Sequence, residues 1–251
     1  MTIGIISAMH EEIQTLLENL QESTNTVKGM RTYYKGKLFN TEVVLVFSRW
    51  GKVASATTVT QLINDYDLDE IIFTGVAGAI SKDLNIGDIV IGKYLYQHDI
   101  DASPLFKKFE VPLLGKTYFE TSSMHRSELH DATQAFLNLY TDFIDSKKAR
   151  SFHIVHPKVI EGDIASGDQF ISDINSVSKL TSALPEVSCV EMEGAAVAQV
   201  CYEYNVPFSI IRIISDKANA NAHIDFPKFA KEIAGQYTLE ILKNYCSGAG
   251  T

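Results

Sequence analysis

Carboxyl groups beside small residues are the side chains of this sequence best suited to acid–base chemistry. Glu11 and Glu12 follow a short apolar run near the N-terminus, Glu191 and Glu193 follow a second run, and Asp216 follows a third. A carboxyl group can exchange a proton near neutral pH when burial raises its pKa. Position alone also allows a simpler interpretation, with Glu11 and Glu12 as helix-start charges and Asp216 as a turn or N-cap residue.

Arg212 indicates that some of these charges lie inside the protein. It interrupts four isoleucines within residues 210–214. Burying a guanidinium without an acidic partner is costly. We therefore expect Arg212 to pair with Glu191 or Glu193, or to line a cavity.

Two glycine-containing segments offer surfaces for a ligand. Residues 73–79 read Phe-Thr-Gly-Val-Ala-Gly-Ala after an apolar run, and backbone amides beside such small residues can approach a ligand closely. A tight turn after a strand is the alternative interpretation of this segment. Residues 165–171 read Ala-Ser-Gly-Asp-Gln-Phe-Ile, which suits stacking against a planar ring. The first segment lacks the Lys-Ser/Thr of a phosphate-binding loop and the third glycine of a dinucleotide-binding motif.

Strands and helices in alternation must position these residues. Hydrophobic periodicity predicts strands at residues 2–6, 31–38, 42–47, 70–73, 88–96, 187–190 and 208–214, and helices at 9–20, 52–66, 194–204 and 226–245. Buried strands that alternate with helices indicate an α/β fold with ligands at the carboxyl ends of the strands. Residues 99–115 show neither period, which predicts a long surface loop and a candidate contact with a partner chain.

Composition narrows the class of protein. The 251 residues are 45% hydrophobic and 21% charged, as in an ordinary globular chain, and we expect one domain over residues 1–246 with a flexible tail at 247–251. The net charge of −9 argues against a nucleic-acid partner. Three scattered cysteines and isolated histidines predict neither a disulfide framework nor a metal site. With no signal-peptide pattern or membrane-length apolar run, we expect a cytoplasmic protein without membrane contact.

Taken together, the motifs resemble one known family. They are Ser7-Ala8-Met9-x-Glu11-Glu12, Thr74-Gly75-x-Ala77-Gly78, Ser166-Gly167-Asp168-x-Phe170-Ile171, Val190-Glu191-Met192-Glu193 and Arg212-x-Ile214-Ser215-Asp216. Each motif alone is modest, whereas the ordered set covers nearly the whole chain and is similar to the bacterial 5′-methylthioadenosine/S-adenosylhomocysteine nucleosidases of the purine nucleoside phosphorylase superfamily. This resemblance implies a three-layer αβα fold with a mixed, partly barrel-like central sheet. It also implies a homodimer in which the partner chain closes the 5′ side of each site.

The resemblance further implies hydrolysis of the N-glycosidic bond of 5′-substituted adenosines, without a cofactor or metal. Glu12 would activate the attacking water, and Asp216, steadied by Ser215, would protonate the purine at N7, with Arg212 in the same catalytic set. The ribose would be held by Met192 and Glu193, and the adenine by Phe170 and Ile171 with main-chain contacts near Gly78. Phe226 would flank the 5′-substituent, and Met9 and Trp50 would lie near it or the ribose. The substrate-binding set implied in this way is Met9, Trp50, Ala77, Gly78, Phe170, Ile171, Glu191, Met192, Glu193 and Phe226.

Two departures from the family pattern bear on the substrate. Trp50 stands where a smaller aliphatic residue is common and Val76 where Ser is frequent, which leaves open the balance between methylthioadenosine, S-adenosylhomocysteine and other adenosine derivatives such as 6-amino-6-deoxyfutalosine. Phosphorylases of the superfamily typically place an Arg near the glycine segment to bind phosphate. Phe73 precedes Thr74 here, so we expect hydrolysis rather than phosphorolysis. A non-catalytic nucleoside-binding protein on the same scaffold is the remaining alternative.

Overall fold

A sheet of ten strands organises the part of the chain that the computed structural model describes, which is residues 1–219 and 221–248 apart from the side chain of Ile224. The strands are β1 (Thr2–Ser7), β2 (Gln21–Lys28), β3 (Arg31–Leu38), β4 (Thr41–Phe47), β5 (Glu70–Ala79), β6 (Ile89–Gln97), β7 (Phe119–Glu120), β8 (Val159–Ser166), β9 (Val187–Glu191) and β10 (Phe208–Asp216).

The helices that lie between these strands in the chain order cover the sheet. They are α1 (His10–Glu18), α2 (Lys52–Asp65), α3 (Ser123–Asn138), α4 (Tyr140–Phe143), α5 (Ser146–Ser151), α6 (Ile174–Ala183), α7 (Gly194–Tyr204), α8 (Ala222–Phe229) and α9 (Gly235–Gly248). A π-helical turn, Ala230–Ala234, joins α8 to α9. Within the described residues, no helix is both long enough and apolar enough to cross a membrane.

Five strands close into a barrel at one end of the sheet. β5 pairs with β10 in parallel, β10 pairs with β6 in antiparallel orientation, and β8 and β9 complete the circle back to β5. On the other side of β5, the sheet continues through β1, β4, β3 and β2. The mixed, partly barrel-like sheet expected from the sequence is therefore confirmed.

Apolar side chains of the strands alternate between two cores. In β5, Ile72 and Val76 pack towards α1, α3 and α9, whereas Ile71 and Phe73 pack towards α2 and α7. This alternation follows from the two-residue period of a β-strand. Because both faces of the sheet are covered by helices, the three-layer αβα prediction is confirmed.

The glycine segment after residue 73 is part of a strand. We expected β5 to end at Phe73, but its ten residues are all buried and extend to Ala79. Gly75 pairs with Arg212, and Gly78 pairs with both Asp216 and Val190. The tight-turn interpretation of this segment is therefore wrong, because the segment is an extended strand. Its glycines leave room for the side chains of Arg212 and Asp216, which come from the neighbouring strand β10.

Several elements were missed because their residues do not show a clear apolar period. Every residue of the edge strand β2 is exposed, and β8 carries Glu161 and Asp163 between its apolar positions. Gly162 within β8 also lies so close to its neighbour that an added Cβ would be 2.6 Å from the Ser188 hydroxyl. Helix α3 was missed for the same reason, and the amphipathic helix α6 and the short elements β7, α4 and α5 were also not predicted. Residues 99–115 form the irregular loop that we predicted.

The C-terminal helix departs from its predicted bounds. The single helix expected over 226–245 is α8, the π-helical turn and α9, and it covers residues 222–248. Gly235 lies at the junction, where an added Cβ would be 2.5 Å from Thr15 Oγ1 of α1, so the helices approach closely. Ser247 and Gly248 are helical, which corrects the predicted tail, and residues 249–251 lie outside the described residues.

Candidate active site

A cavity opens near the carboxyl ends of the barrel strands. It encloses about 640 Å³ of empty space, including its open mouth. The sequence-predicted site residues all lie on its wall: Met9, Glu12, Trp50, Ala77, Gly78, Phe170, Ile171, Glu191, Met192, Glu193, Arg212, Ser215, Asp216 and Phe226. The chain thus brings them together, while the role of each stays a prediction.

Glu12 is buried in the first turn of α1. Its Oε2 atom accepts a hydrogen bond from the Ser7 hydroxyl at 2.5 Å, and its Oε1 atom accepts one from the Val76 amide at 3.0 Å. The side chain is only 1% exposed, and burial raises its pKa above the ordinary value of 4.5. Glu11 lies in the same turn but is exposed, so the helix-start interpretation fits Glu11 and does not account for Glu12.

Arg212 reaches the cavity from the middle of β10 and is also 1% exposed. Its Nη2 atom donates to Glu191 Oε2 at 2.8 Å, and Nη1 donates to the carbonyl oxygens of Phe73 and Ile211 at 3.0 and 2.9 Å. The guanidinium also lies 4.2 Å from the centre of the Phe73 ring. The expected acidic partner is therefore Glu191.

Glu191 receives several donors besides Arg212. The Ser166 hydroxyl donates to Oε1, and the amides of Glu193 and Gly194 donate to the carboxylate at 2.8 to 3.1 Å. Such charge-assisted hydrogen bonds stabilise an ionised carboxylate. The arrangement makes Glu191 the counter-charge of Arg212.

Glu193 lies two residues further along, at the N-terminus of α7. Its Oε1 atom accepts a hydrogen bond from the Gly51 amide at 2.8 Å. Burial, together with the negative charge of Glu191, raises the pKa of Glu193 to about 8. Its surroundings therefore favour the protonated form of Glu193.

Asp216 ends β10 where the pairing with β5 shifts register. The Ser215 hydroxyl donates to its Oδ2 atom and the Ala218 amide donates to its Oδ1 atom, each at 2.8 Å. Burial raises the pKa of Asp216 above its ordinary value of 3.8, and the nearby Asp225 charge acts in the same direction. The contact with Ala218 is also the turn interaction considered from the sequence, so Asp216 forms a turn and lines the cavity.

Three aromatic side chains surround the mouth. The Phe226 ring lies 6.0 Å from Trp50 and 6.1 Å from Phe170, measured between ring centres. Trp50 is 55% exposed and Phe170 is 47% exposed. An apolar group leaving the cavity would therefore pass between aromatic faces.

Sequence reasoning missed the residues that orient these carboxyl groups. Ser7 holds Glu12, Ser166 holds Glu191, and the Gly51 amide holds Glu193. Small polar residues at the carboxyl ends of β1 and β8 were the available signal for the two serines. Nothing local marks Gly51, because its contact spans 142 positions of the chain.

Comparison with known proteins agrees with this geometry. Residues 2–247 match the model of the phosphorylase superfamily. A 5′-methylthioadenosine/S-adenosylhomocysteine nucleosidase of Anoxybacillus flavithermus is 35% identical over 93% of both chains. The Streptococcus pneumoniae MTA/SAH nucleosidase, solved in complex with 8-aminoadenine, superposes with a TM-score of 0.84 at 33% identity, over 98% of this chain and 99% of that one.

A futalosine hydrolase of Helicobacter pylori is also similar, with a TM-score of 0.82 at 33% identity over 98% of this chain and 97% of that one. The fold and the cavity thus define a protein of the phosphorylase superfamily. Within that superfamily, the chain belongs to the family of the 5′-methylthioadenosine/S-adenosylhomocysteine nucleosidases.

Proposed function

We propose that the protein hydrolyses the N-glycosidic bond of 5′-substituted adenosines, foremost 5′-methylthioadenosine and S-adenosylhomocysteine, and releases adenine and the 5′-substituted thioribose. The observation that carries this proposal is the meeting of Glu12, Glu193 and Asp216 at one cavity. Bond cleavage at C1′ leaves positive charge on the sugar and negative charge on the departing base. Carboxyl groups on opposite sides of the bond can stabilise both.

Asp216 is proposed as the acid that protonates adenine at N7. An acid must carry a proton when the bond breaks, and the raised pKa of Asp216 favours that state. The Ser215 hydroxyl and the Ala218 amide fix the orientation of its carboxyl group. Asp216 can also accept from the 6-amino group, so adenine is expected to leave more readily than a 6-oxopurine.

Glu12 is proposed as the base that activates water. A base must be ionised, which burial opposes and which the hydrogen bonds from Ser7 and Val76 favour. Arg212 also favours ionisation of Glu12, since its charge lowers the pKa of that residue. A Cβ at Gly75 would lie 3.3 Å from Glu12 and 3.5 Å from Arg212, so the two side chains approach each other over that glycine.

The remaining wall residues are proposed to bind the nucleoside. Glu193 and Met192 would contact the ribose, and Phe170 and Ile171 would contact the adenine ring. Hydroxyl donors from the ribose, and the positive charge that develops on the sugar, would both favour the ionised form of Glu193. The carboxylate would then stabilise the transition state more than the ground state.

Water is favoured over phosphate as the nucleophile because the described wall residues offer a phosphate group no uncompensated cation. Among the described residues that line the cavity, Arg212 is the one cation, and Glu191 already neutralises it. A phosphate dianion would meet the side chains of Glu12, Glu193 and Asp216. Incubation with methylthioadenosine is expected to release adenine at the same rate with and without added phosphate. Phosphate-dependent release of 5-methylthioribose 1-phosphate would contradict the proposal.

The nature of the 5′-substituent is set by the aromatic mouth. Trp50 packs edge-on against Phe226, at an interplanar angle of 71°. The similarity to a futalosine hydrolase keeps larger 5′-substituents, including that of 6-amino-6-deoxyfutalosine, as a second candidate class. Methylthioadenosine and S-adenosylhomocysteine come first because the family to which the chain belongs is named for them.

We also propose that the protein works as a cytoplasmic homodimer, in methionine salvage. Val53, Leu105 and Leu113 are 79%, 84% and 92% exposed, and Leu105 and Leu113 belong to the irregular loop over residues 99–115. Exposed apolar side chains favour association when they form one contiguous patch, and the proposed dimer takes these three to belong to such a patch. We propose that the second copy covers the 5′ side of the cavity, as the family resemblance implies. A solution mass of one chain, 27.9 kDa, would contradict the dimer.

A further inference from the structure

The N-terminus of α2 is held by carboxylates from distant parts of the chain. The amide of Gly51 donates to Glu193, and the amide of Lys52 donates to Asp168 Oδ1, each at 2.8 Å. Gly51 has a φ of 89° and offers no side-chain cap. The amides of the first helical turn lack partners within a helix, so these carboxylates supply what the local sequence does not.

The side chain of Lys52 closes a ring with the same loops. Its Nζ atom donates to Asp99 Oδ1 at 2.6 Å and to Gln97 Oε1 at 3.1 Å. Asp99 Oδ2 in turn accepts from the amide of Asp168 at 2.8 Å. Lys52, Asp99 and Asp168, here called the Lys52 clamp, are therefore joined in a closed circuit of hydrogen bonds.

The Lys52–Asp99 ion pair of the clamp is partly shielded from water, whereas Asp168 is exposed. The side chains of Lys52 and Asp99 are 17% and 22% exposed. Burial alone would raise the pKa of Asp99, but the hydrogen bonds from Lys52 and from the Asp168 amide lower it below its ordinary value. The surroundings thus favour the ionised form of Asp99, and the Lys52 ammonium contacts that carboxylate directly.

The clamp joins two walls of the cavity. On one side it fixes the turn that carries Trp50 and the Gly51 amide, and on the other it fixes the loop that leads to Phe170. Gly51 leaves little room for adjustment, because an added Cβ would lie 3.0 Å from Asp168 Oδ1. A shift of Lys52 would therefore displace the donor that orients Glu193.

We propose that Lys52 is a positioning residue for the proposed hydrolysis. Its ammonium group, held by Asp99, keeps the Gly51 amide against Glu193 and so aims that carboxyl group at the ribose. The inference rests on the proposed function, because the gain from this alignment is realised only when a nucleoside is bound. Lys52 itself does not line the cavity.

The test compares Lys52→Met, which keeps the length of the side chain without its charge, with Lys52→Arg, which restores the charge. Lys37→Met is the matched control, since Lys37 pairs with Glu22 at an exposed position away from the cavity. A misplaced binding group can cost up to about 100-fold in rate, so we expect Lys52→Met to lower kcat/KM for methylthioadenosine by roughly 10- to 100-fold, with an increase in KM. Lys52→Arg should recover most of the loss, and the affinity for free adenine, which has no ribose, should change far less.

Amide hydrogen exchange of residues 49–55 provides a readout that needs no substrate. We expect Lys52→Met to accelerate exchange of the Gly51 amide, whereas Lys37→Met should leave it unchanged. Unchanged exchange at Gly51 would overturn the proposal, and so would a kcat/KM for Lys52→Met equal to that of Lys37→Met. Equal losses for adenine and methylthioadenosine would also overturn it. If the wild type released no adenine from methylthioadenosine, the proposed function would fail, while the exchange data would still decide whether Lys52 fixes the turn.

Discussion

The number of hydrogen-bond donors divides the buried carboxyl groups of the cavity into two kinds. The Glu191 carboxylate accepts hydrogen bonds from a guanidinium, a hydroxyl and two amides, which together stabilise its negative charge. Glu12, Glu193 and Asp216 have fewer donors, and burial raises the pKa of each. Groups whose pKa is raised by burial are suited to proton transfer, whereas a carboxylate held in an ion pair is suited to a supporting role. We therefore assign chemistry to the second kind only.

The raised pKa of Glu193 predicts a pH-dependent stability. Between its ordinary pKa of 4.5 and its folded value of about 8, the folded protein keeps a proton that the unfolded chain has released. The free energy of unfolding therefore falls as pH rises through this window. Glu193→Gln keeps an acceptor for the Gly51 amide but removes the titration, so the variant should gain stability relative to the wild type as pH increases. Thermal unfolding from about pH 5 to about pH 8 measures this, and a difference independent of pH would contradict it.

We predict that replacing Trp50 changes the substrate preference. Replacing the indole by isoleucine removes the edge contact with Phe226 and widens the mouth. Trp50→Ile should shift the ratio of kcat/KM between S-adenosylhomocysteine and methylthioadenosine by on the order of tenfold, with a smaller effect on turnover. Tyr204→Ile, at an exposed position outside the cavity wall, is the control. Unchanged relative kcat/KM values in Trp50→Ile would remove Trp50 from the specificity determinants.

Among the elements, β5 contributes backbone rather than side chains to the site at its glycine positions. A Cβ at Gly78 would lie 2.9 Å from Asp216 Oδ1 and 3.2 Å from the Cβ of Ala218. Such a contact forces neighbouring atoms to move. The strand can therefore pass beneath the proposed acid only where it has no side chain.

Gly78→Ala is accordingly expected to lower kcat by on the order of tenfold or more, because it displaces the carboxyl group of Asp216. Gly92→Ala is the matched control, since its added Cβ would meet the flexible end of Ile164 at 3.0 Å, in another strand of the barrel. Measured kcat and melting temperature of both variants separate the two effects. If both alanines destabilised the protein without a specific loss of kcat at Gly78, the close approach would be irrelevant to catalysis.

Elements with a buried apolar period could be predicted, and elements without one could not. The runs that became β1, β4 and β10 are apolar, whereas β2 exposes every residue and is defined only by its pairing with β3. The extension of β5 beyond Phe73 was hidden because glycine and alanine carry little periodic signal. Its strand geometry depends on β10 and β9, which come more than 100 positions later in the chain.

Across the whole molecule, the barrel brings together groups from opposite ends of the chain. Glu12 follows the first strand and Asp216 ends the last one, yet both line the same cavity. The sequence could indicate which residues gather there, because polar side chains at strand ends converge in α/β folds. It could not indicate which donor meets which carboxylate, since Gly51 and Ser166 reach their partners only in the folded chain.

Turnover of methylthioadenosine by Glu12→Gln and Asp216→Asn tests the central claim most directly. Glu11→Gln is the control, because Glu11 lies in the same helical turn and is exposed. Removing an acid or base typically costs 10² to 10⁴ in rate, so both site variants should lose on the order of 10²-fold or more in kcat, while Glu11→Gln should keep the wild-type rate of adenine release. Near-normal turnover in either site variant, with the protein folded, would contradict the account.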